Sequence, residues 1–411
     1  MVCRFCSYKV SFVCKHLGFQ TDGNLLSRKA LEKNKGLMIT LICIPCLLTG
    51  GTEIQTLNLV RALVSGGHRV VVACYFEYAE AMVARYRAAG AEVELMQAEG
   101  RRICGWRGLI FLYRGLRRLV KRYRPDIAHV QYMAPGAQPC LFLKMLGVPH
   151  IIATAHTDAR IYKSLRLLHF IQRHVVDVFT CITTRAEKEF FGTSQLFSME
   201  TELKRHDHVT IYNSLPEHVE LADAARTALP DAPVIGVVSR MEHIKGMDLV
   251  IPAFAEVLKQ CPQARLLVVG DGSQLPQMKE QAASLGIADK VEWAGRQAQE
   301  KLSAYYDRID LFWMPSRSEG FGLSALEAMA RACPVVANRV GGLPELVTED
   351  CGLLCEVENV NSLAESASRI LQDETAYIAK SQGAWQRAGE FSMPRYTELM
   401  LNLYEKVRCL R

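Results

Sequence analysis

Short apolar runs alternate with helical stretches along most of the chain, and the alternation runs through twice. A strand followed by a helix and then another strand returns to a parallel neighbour, because parallel pairing needs a long crossover. The predicted strands of the first series are Leu37–Leu48, Arg69–Cys74, Ala91–Met96, Asp126–Gln131, Ile151–Ala155, Val178–Thr183 and His208–Tyr212. Those of the second are Val234–Val238, Arg265–Val269, Val291–Ala294, Leu311–Met314, Pro334–Ala337 and Gly352–Glu356. The pattern predicts an α/β chain with two tandem Rossmann-like domains facing across a cleft. The length, 411 residues, suits two or three domains at about 100–200 residues each.

The boundaries follow from composition. Residues 1–36 carry no sustained periodicity and are expected to form a poorly ordered N-terminal extension. The first domain is assigned to 37–216 and the second to 217–392, with the polar, Ala/Pro-rich stretch 217–233 as the linker between them. A last helix, Met393–Val407, has no strand left to serve in the second sheet, so residues 393–411 are expected to cross back onto the first domain.

Open parallel sheets bind ligands at the carboxyl ends of their strands, so the loops there carry the chemistry. After Asp310–Pro315 comes Ser316-Arg317-Ser318-Glu319-Gly320-Phe321-Gly322-Leu323, and then a helix containing Glu327. Free N–H groups at a helix start favour a bound phosphate. Glu319 in the loop and Glu327 in the helix repel phosphate but accept hydrogen bonds from hydroxyls. That combination suits a sugar on one side of a diphosphate and a ribose on the other. Arg240 and Lys245 follow the first strand of the second domain in a loop that ends in glycine, and two such cations can clamp a diphosphate. Gly50-Gly51 follows the first strand of all, without the full Gly-x-Gly-x-x-Gly pattern, so a dinucleotide fingerprint is not supported.

Charge is uneven. Residues 37–220 hold 22 basic against 16 acidic side chains, and residues 221–411 hold 20 against 25. A basic first half suits an anionic membrane surface better than nucleic acid. The helix predicted over Trp106–Arg124 has an apolar stripe (Leu109, Leu112, Leu116, Leu119, Tyr123). Seven basic residues cover its other faces, with no acid among them. It reads as a core-facing helix whose basic face can also rest on anionic headgroups. The 14 cysteines are diluted through a long chain, which indicates a reducing cytosol rather than a disulfide scaffold. Cys3/Cys6 and Cys43/Cys46 lack a second pair at zinc spacing, so neither is assigned a metal. Leu37–Leu48 is too short to span a bilayer, which needs about 20 apolar residues.

Four co-linear blocks carry a family resemblance. They are Ser239–Gly246, Gly270-Asp271-Gly272, Glu319–Leu323 through Glu327-Ala328, and Pro334–Ala337 with Gly341–Glu345. With Gly50-Gly51-Thr52-Glu53 in the first half, they resemble the retaining GT-B glycosyltransferases of family 4 (glycosyl transferases group 1) over about residues 37–408. The resemblance implies transfer of a sugar from a UDP- or GDP-sugar to an acceptor with retained anomeric configuration. It makes the first domain the acceptor side and the second the nucleotide-sugar side. Arg240 and Lys245 would hold the diphosphate, with Gly270 in the neighbouring loop. The backbone at Gly320, Phe321, Gly322 and Leu323 would meet the phosphate, and Gly50 and Gly51 would approach it from across the cleft. Glu327 would bind the ribose and Glu319 the donor sugar, while His156 would stand near the transferred sugar. Glu319 and His156 are the catalytic candidates. Whether Glu319 is a nucleophile or only orients the donor stays open. No Asp-x-Asp occurs, so no metal and no other cofactor is expected.

The expected function is therefore a cytoplasmic enzyme, peripheral on the inner membrane face. It would glycosylate a glycan or lipid-linked acceptor in cell-surface polysaccharide or lipopolysaccharide synthesis. Two alternatives remain: a nucleotide-sugar epimerase of the same fold, and a catalytically idle nucleotide-sugar-binding protein.

Overall fold

The computed structural model describes residues 38–97, 100–132, 136–157, 159 and 165–410. The expected extension 1–36 with its Cys3/Cys6 pair, and most of the acceptor-side loop 157–164, lie outside the described residues.

Seven strands form the first sheet: β1 (Ile39–Ile44), β2 (Arg69–Cys74), β3 (Glu92–Leu95), β4 (Ile127–Gln131), β5 (His150–Ala155), β6 (Val178–Cys181) and β7 (Asp207–Thr210). Six helices lie between them: α1 (Gly51–Ser65), α2 (Glu80–Ala88), α3 (Gly105–Tyr123), α4 (Ala137–Met145), α5 (Leu165–His174) and α6 (Thr184–Phe191). The order is β3-β2-β1-β4-β5-β6-β7 and the strands pair in parallel, with Leu41 opposite Val71 on one side and Ala128 on the other. β1 and β4 are buried on both faces, which is why they read as unbroken apolar runs rather than alternating ones.

The second lobe repeats the plan. Its strands are β8 (Val234–Val238), β9 (Arg265–Val269), β10 (Val291–Gly295), β11 (Leu311–Met314), β12 (Val335–Asn338) and β13 (Gly352–Cys355), in the parallel order β10-β9-β8-β11-β12-β13. Its helices are α7 (Met247–Gln260), α8 (Leu275–Ser284), α9 (Leu302–Tyr306), α10 (Leu323–Ala330), α11 (Leu343–Leu346), α12 (Val360–Leu371) and α13 (Glu374–Gly389). One further helix, α14 (Met393–Arg408), leaves the second lobe. Its Met400, Leu403, Tyr404 and Val407 are buried in the first lobe with Leu57, Val60 and Leu63 of α1. The Tyr404 hydroxyl lies 2.7 Å from His129 Nδ1 on β4.

The polar stretch 217–233 is not the loose linker its composition suggests. Ala222 N donates to Ala330 O at 2.8 Å, and the Arg226 guanidinium pairs with the buried Asp310 carboxylate at 2.8 Å. Arg226 N donates to Ser381 Oγ, so the stretch is fastened along the second lobe. The crossings between lobes are narrower. Residues 213–216 lead out and 390–393 lead back, side by side, with Leu215 N donating to Phe391 O at 2.8 Å.

Candidate functional site

The second sheet reverses its winding between β8 and β11, where neighbouring loops diverge and leave a crevice. The loop after β8 carries Arg240 and Lys245; the loop after β11 carries Glu319 to Gly322. Their side chains meet: Lys245 Nζ lies 2.6 Å from Glu319 Oε2, with both groups mostly shielded from solvent. Gly246, directly after Lys245, has φ 70 and packs against β11 so closely that a Cβ would fall 1.9 Å from the Pro315 carbonyl oxygen. Only glycine fits this left-handed, crowded position. Arg240 is exposed, and no described residue pairs with its guanidinium. Gly270 ends β9 against the Ser239 carbonyl and so shapes the floor of the Arg240 loop.

Arg317, which the sequence reading left without a role, ties the two loops together. Its backbone N–H donates to Ile244 O at 3.0 Å, and its guanidinium holds Asp248 through two bonds and also Glu358. The carboxylates raise its pKa further, so it stays charged.

α10 begins at Leu323, after Gly322 in a left-handed conformation with φ 104. The Phe321 side chain turns away from the crevice and packs on Tyr212 and Phe391, leaving backbone at the helix start. Spacing alone puts Glu319 and Glu327 about two helical turns apart. In the structure Glu319 precedes the helix, and Glu327 sits one turn inside it. Glu327 is buried, and Tyr306 Oη donates to its Oε2 at 2.6 Å. Burial pushes its carboxyl up to about 7 despite that bond.

The opposite wall is the first lobe. Gly50 caps α1 and Gly51 begins it; a Cβ on Gly51 would lie 3.3 Å from the Leu323 side chain, so the two helix starts face each other. Glu53, in the first turn of α1, is turned inward. Cys46 Sγ donates to its carboxylate at 3.3 Å, and burial raises its pKa. Cys43 and Cys46 are buried free thiols, and no described cluster of His, Cys, Asp and Glu could hold a metal ion. His156 follows β5 and lies against the loop, where a Cβ on Gly320 would come 2.7 Å from its carbonyl oxygen. Its Nε2 is 2.6 Å from Gln131 Oε1, and burial lowers its pKa to about 4. A neutral imidazole donates that proton to the amide oxygen and keeps Nδ1 as an acceptor.

Glu345 clasps the two walls. It comes from α11 and accepts from Thr184 N, Thr184 Oγ1 and Arg185 N at the start of α6, and from the Tyr212 hydroxyl. A carboxylate from one lobe thus caps a helix of the other. The sequence block containing Glu345 was legible, but its reach across the cleft was not.

α3 presents a second surface. Leu112, Leu116, Leu119 and Tyr123 are buried, while Trp106 is 68% exposed beside exposed Leu109 and Ile110. Arg107, Arg114 and Arg118 line a groove of about 450 Å³ with Ile110, Phe111 and Met96. No described helix is long and apolar enough to cross a membrane.

Two family models divide the chain between them. The one described as a glycosyl transferase 4-like domain matches residues 50–191, and the one described as glycosyl transferases group 1 matches residues 220–390. A D-inositol 3-phosphate glycosyltransferase of Stackebrandtia nassauensis is 29% identical over 306 residues, covering 68% of each chain. An N-acetyl-alpha-D-glucosaminyl L-malate synthase of Bacillus anthracis is 28% identical over 300 residues, 70% of this chain and 76% of that one. Among solved structures, Anabaena HepE in complex with UDP superposes with a TM-score of 0.72 at 18% identity, over 90% of this chain and 100% of that one. The lipopolysaccharide outer core galactosyltransferase WaaB superposes with a TM-score of 0.70 at 15% identity, over 90% and 100%.

Proposed function

The chain belongs to the group 1 glycosyltransferases and has the two-domain GT-B fold; from that premise we propose that it moves a sugar from a UDP- or GDP-sugar to a glycan or lipid-linked acceptor, retaining the anomeric configuration. The observation that carries the donor side is the Lys245–Glu319 pair at the switch point, beside the free start of α10 and one turn from Glu327. When the diphosphate arrives, Lys245 exchanges Glu319 for phosphate oxygens, and Arg240 and the N–H groups at Phe321, Gly322 and Leu323 add to the clamp. Glu319, released, accepts from donor-sugar hydroxyls. Glu327 accepts from the ribose. His156 offers Nδ1 to a sugar hydroxyl.

The bond from the anomeric carbon to the leaving phosphate oxygen breaks while the acceptor oxygen bonds to the same face. The acceptor's proton passes to the leaving phosphate. The charge that grows on the diphosphate is met by fixed dipoles and cations, the largest source of rate in such sites. No cofactor or metal takes part in this reading.

On the acceptor side, the α3 groove with its arginines and exposed Trp106 supports docking at an anionic membrane surface, from the cytoplasm, on the way to a lipid-linked glycan. The neighbour WaaB, named for lipopolysaccharide outer core, fits this acceptor class. A second reading, a small anionic acceptor, is favoured by the relatives named for inositol 3-phosphate and malate.

Incubation with UDP- and GDP-sugars and an acceptor panel tests the proposal. Nucleotide release that requires acceptor, with an α-linked product from an α-donor by NMR, is the expected result. Epimerised donor without acceptor, or no turnover with any pair, refutes it. Sedimentation with anionic vesicles at low salt tests the membrane arm.

A further inference from the structure

His218 stands in the turn from Pro216 to Val219, at the outgoing crossing between lobes. Its backbone is fixed: Val219 N donates to Pro216 O at 3.0 Å, and Ser303 Oγ donates to the His218 carbonyl at 2.9 Å. Its neighbour Glu217 pairs with Arg61 of α1. The imidazole is only 9% exposed, yet neither ring nitrogen has a hydrogen-bond partner among the described residues. Buried polar atoms are almost always partnered, so a pair of orphans on one ring needs a reason. The nearest acidic group is Glu327, whose Oε1 lies 4.0 Å from Nε2, too far for a hydrogen bond. Tyr306 already donates to the other Glu327 oxygen. The gap between Oε1 and Nε2 therefore has a donor on one side and an acceptor on the other. One hydroxyl oxygen at about 2.8 Å from each can bridge it, accepting from the imidazole and donating to the carboxylate.

We infer that His218 and Glu327 together grip one ribose hydroxyl of the nucleotide donor, which makes His218 a specificity residue for ribonucleotides over deoxyribonucleotides. The inference rests on the donor reading given above and adds a ligand from the crossing segment, outside the sequence blocks that carry the family resemblance. The ring is suited to the part. Burial first, then the charges of Arg85 and Arg61, outweigh Glu300 and lower its pKa to about 4, so it stays neutral and keeps one N–H to donate. Arg85 of α2 also reaches Gln299 of the second lobe, which closes the wall beside the ring. The orphaned nitrogens cost stability in the empty protein, and Nε2 regains a partner with the ligand. That is the expected signature of a binding residue rather than a core histidine.

The test is a binding cycle by calorimetry with UDP and GDP, each with its 2'-deoxy and 3'-deoxy counterpart. Wild type, His218→Leu and His218→Gln are compared. Wild type should bind one of the deoxy forms at least about tenfold more weakly than the parent, because the bond from the imidazole and the bond to the carboxylate are lost together. His218→Leu should shrink that penalty about three- to ten-fold, the share of one neutral hydrogen bond, by weakening the parent and leaving the deoxy form unchanged, while the part owed to Glu327 remains. His218→Gln, which keeps a donor, should restore part of the lost penalty. His218→Leu should also melt no lower than wild type without ligand, since it removes two orphaned buried atoms, and this excludes misfolding as the cause. If UDP or GDP binds and the deoxy penalty is the same in wild type and His218→Leu, the inference falls and the donor reading stands. If neither diphosphate binds wild type, the donor reading falls and takes the inference with it.

Discussion

Replacing Glu327 by Gln should make the protein more stable at pH 8 while weakening nucleotide binding. The Glu327 carboxyl is held up from 4.5 to about 7 by burial. In the unfolded chain it ionises near 4.5, while in the folded protein it stays protonated until about pH 7. A group with a raised folded pKa contributes its full share of stability below the unfolded value and loses it as pH rises towards the folded one. Each pH unit of that window is worth about 1.4 kcal/mol, so this one side chain costs the second lobe about 2.5 kcal/mol between pH 5 and pH 8. The Glu327→Gln change leaves an isosteric neutral group whose amide oxygen still accepts from Tyr306. Urea unfolding of wild type and Glu327→Gln, followed by tryptophan fluorescence at several pH values, reads the difference. The two curves should nearly meet at pH 5 and separate by about 2–3 kcal/mol at pH 8, with the variant the more stable. His218 and His156, held at about 4, take up protons only in the unfolded chain below pH 6.5 and add a rising slope there, but wild type and variant share that slope and it cancels in their difference. Binding runs the other way. A ribose hydroxyl donates to the ionised carboxylate, so wild-type affinity for UDP should rise up to about tenfold per pH unit below pH 7 and level off above it. Glu327→Gln should lack that component, and the difference between the two proteins removes the diphosphate's own titration. Parallel stability curves from pH 5 to pH 8 would refute the argument, because they would mean the carboxyl ionises normally in the folded state.

Lys245→Ala should weaken UDP binding about ten- to a hundred-fold, the worth of a charge-assisted bond to phosphate, measured by calorimetry. Gly246→Ala should lower stability by at least about 2 kcal/mol in urea, because its Cβ would collide with the Pro315 carbonyl at a left-handed φ. Glu345→Ala removes the carboxylate from the Thr184 and Arg185 N–H groups at the start of α6, where the Thr183 cap remains, and should cost about 1–2 kcal/mol. It should also speed amide exchange at Thr184 and Arg185 and lower kcat more than it raises KM for donor. Reversing Arg114, Arg117 and Arg118 to Glu should abolish sedimentation with anionic vesicles and spare turnover of a water-soluble acceptor. Unchanged sedimentation would remove α3 as the docking face.

Strands proved the most legible part of the chain. β2, β8, β9 and β11 keep the bounds that the sequence predicts, because their apolar runs are buried on both faces and only the exposed leading arginines, Arg69 of β2 and Arg265 of β9, are polar. Helix α1 was harder. Its apolar periodicity runs over Gln55–Val64, whereas the helix starts at Gly51. Glycine has poor helix propensity, so the first turn, Gly50 and Gly51 with the buried Glu53, does not read as helix. The stretch 217–233 misled in the other direction. Its polarity suggests solvent, but Arg226 is drawn to the buried Asp310, a partner 84 residues away. The site showed the same divide. Loop residues at strand ends were readable from type and spacing. Arg317, Glu345 and His218 were not, since each acts on groups far off in sequence and no local pattern marks them.

The return of α14 to the first lobe has a consequence for the order in which the protein is made. The earlier-made lobe is completed by residues that are made after every strand of the second lobe. Until 393–408 emerge, α1 lacks Met400, Leu403, Tyr404 and Val407 against its apolar face, and His129 lacks its tyrosine. Domains usually fold in the order of synthesis, but here the second-made lobe has all its own strands and can close first. A nascent chain halted after residue 390 should therefore show a protease-resistant second lobe attached to a first lobe that is still cut readily. On this order α14 sets the first lobe only after the second has closed.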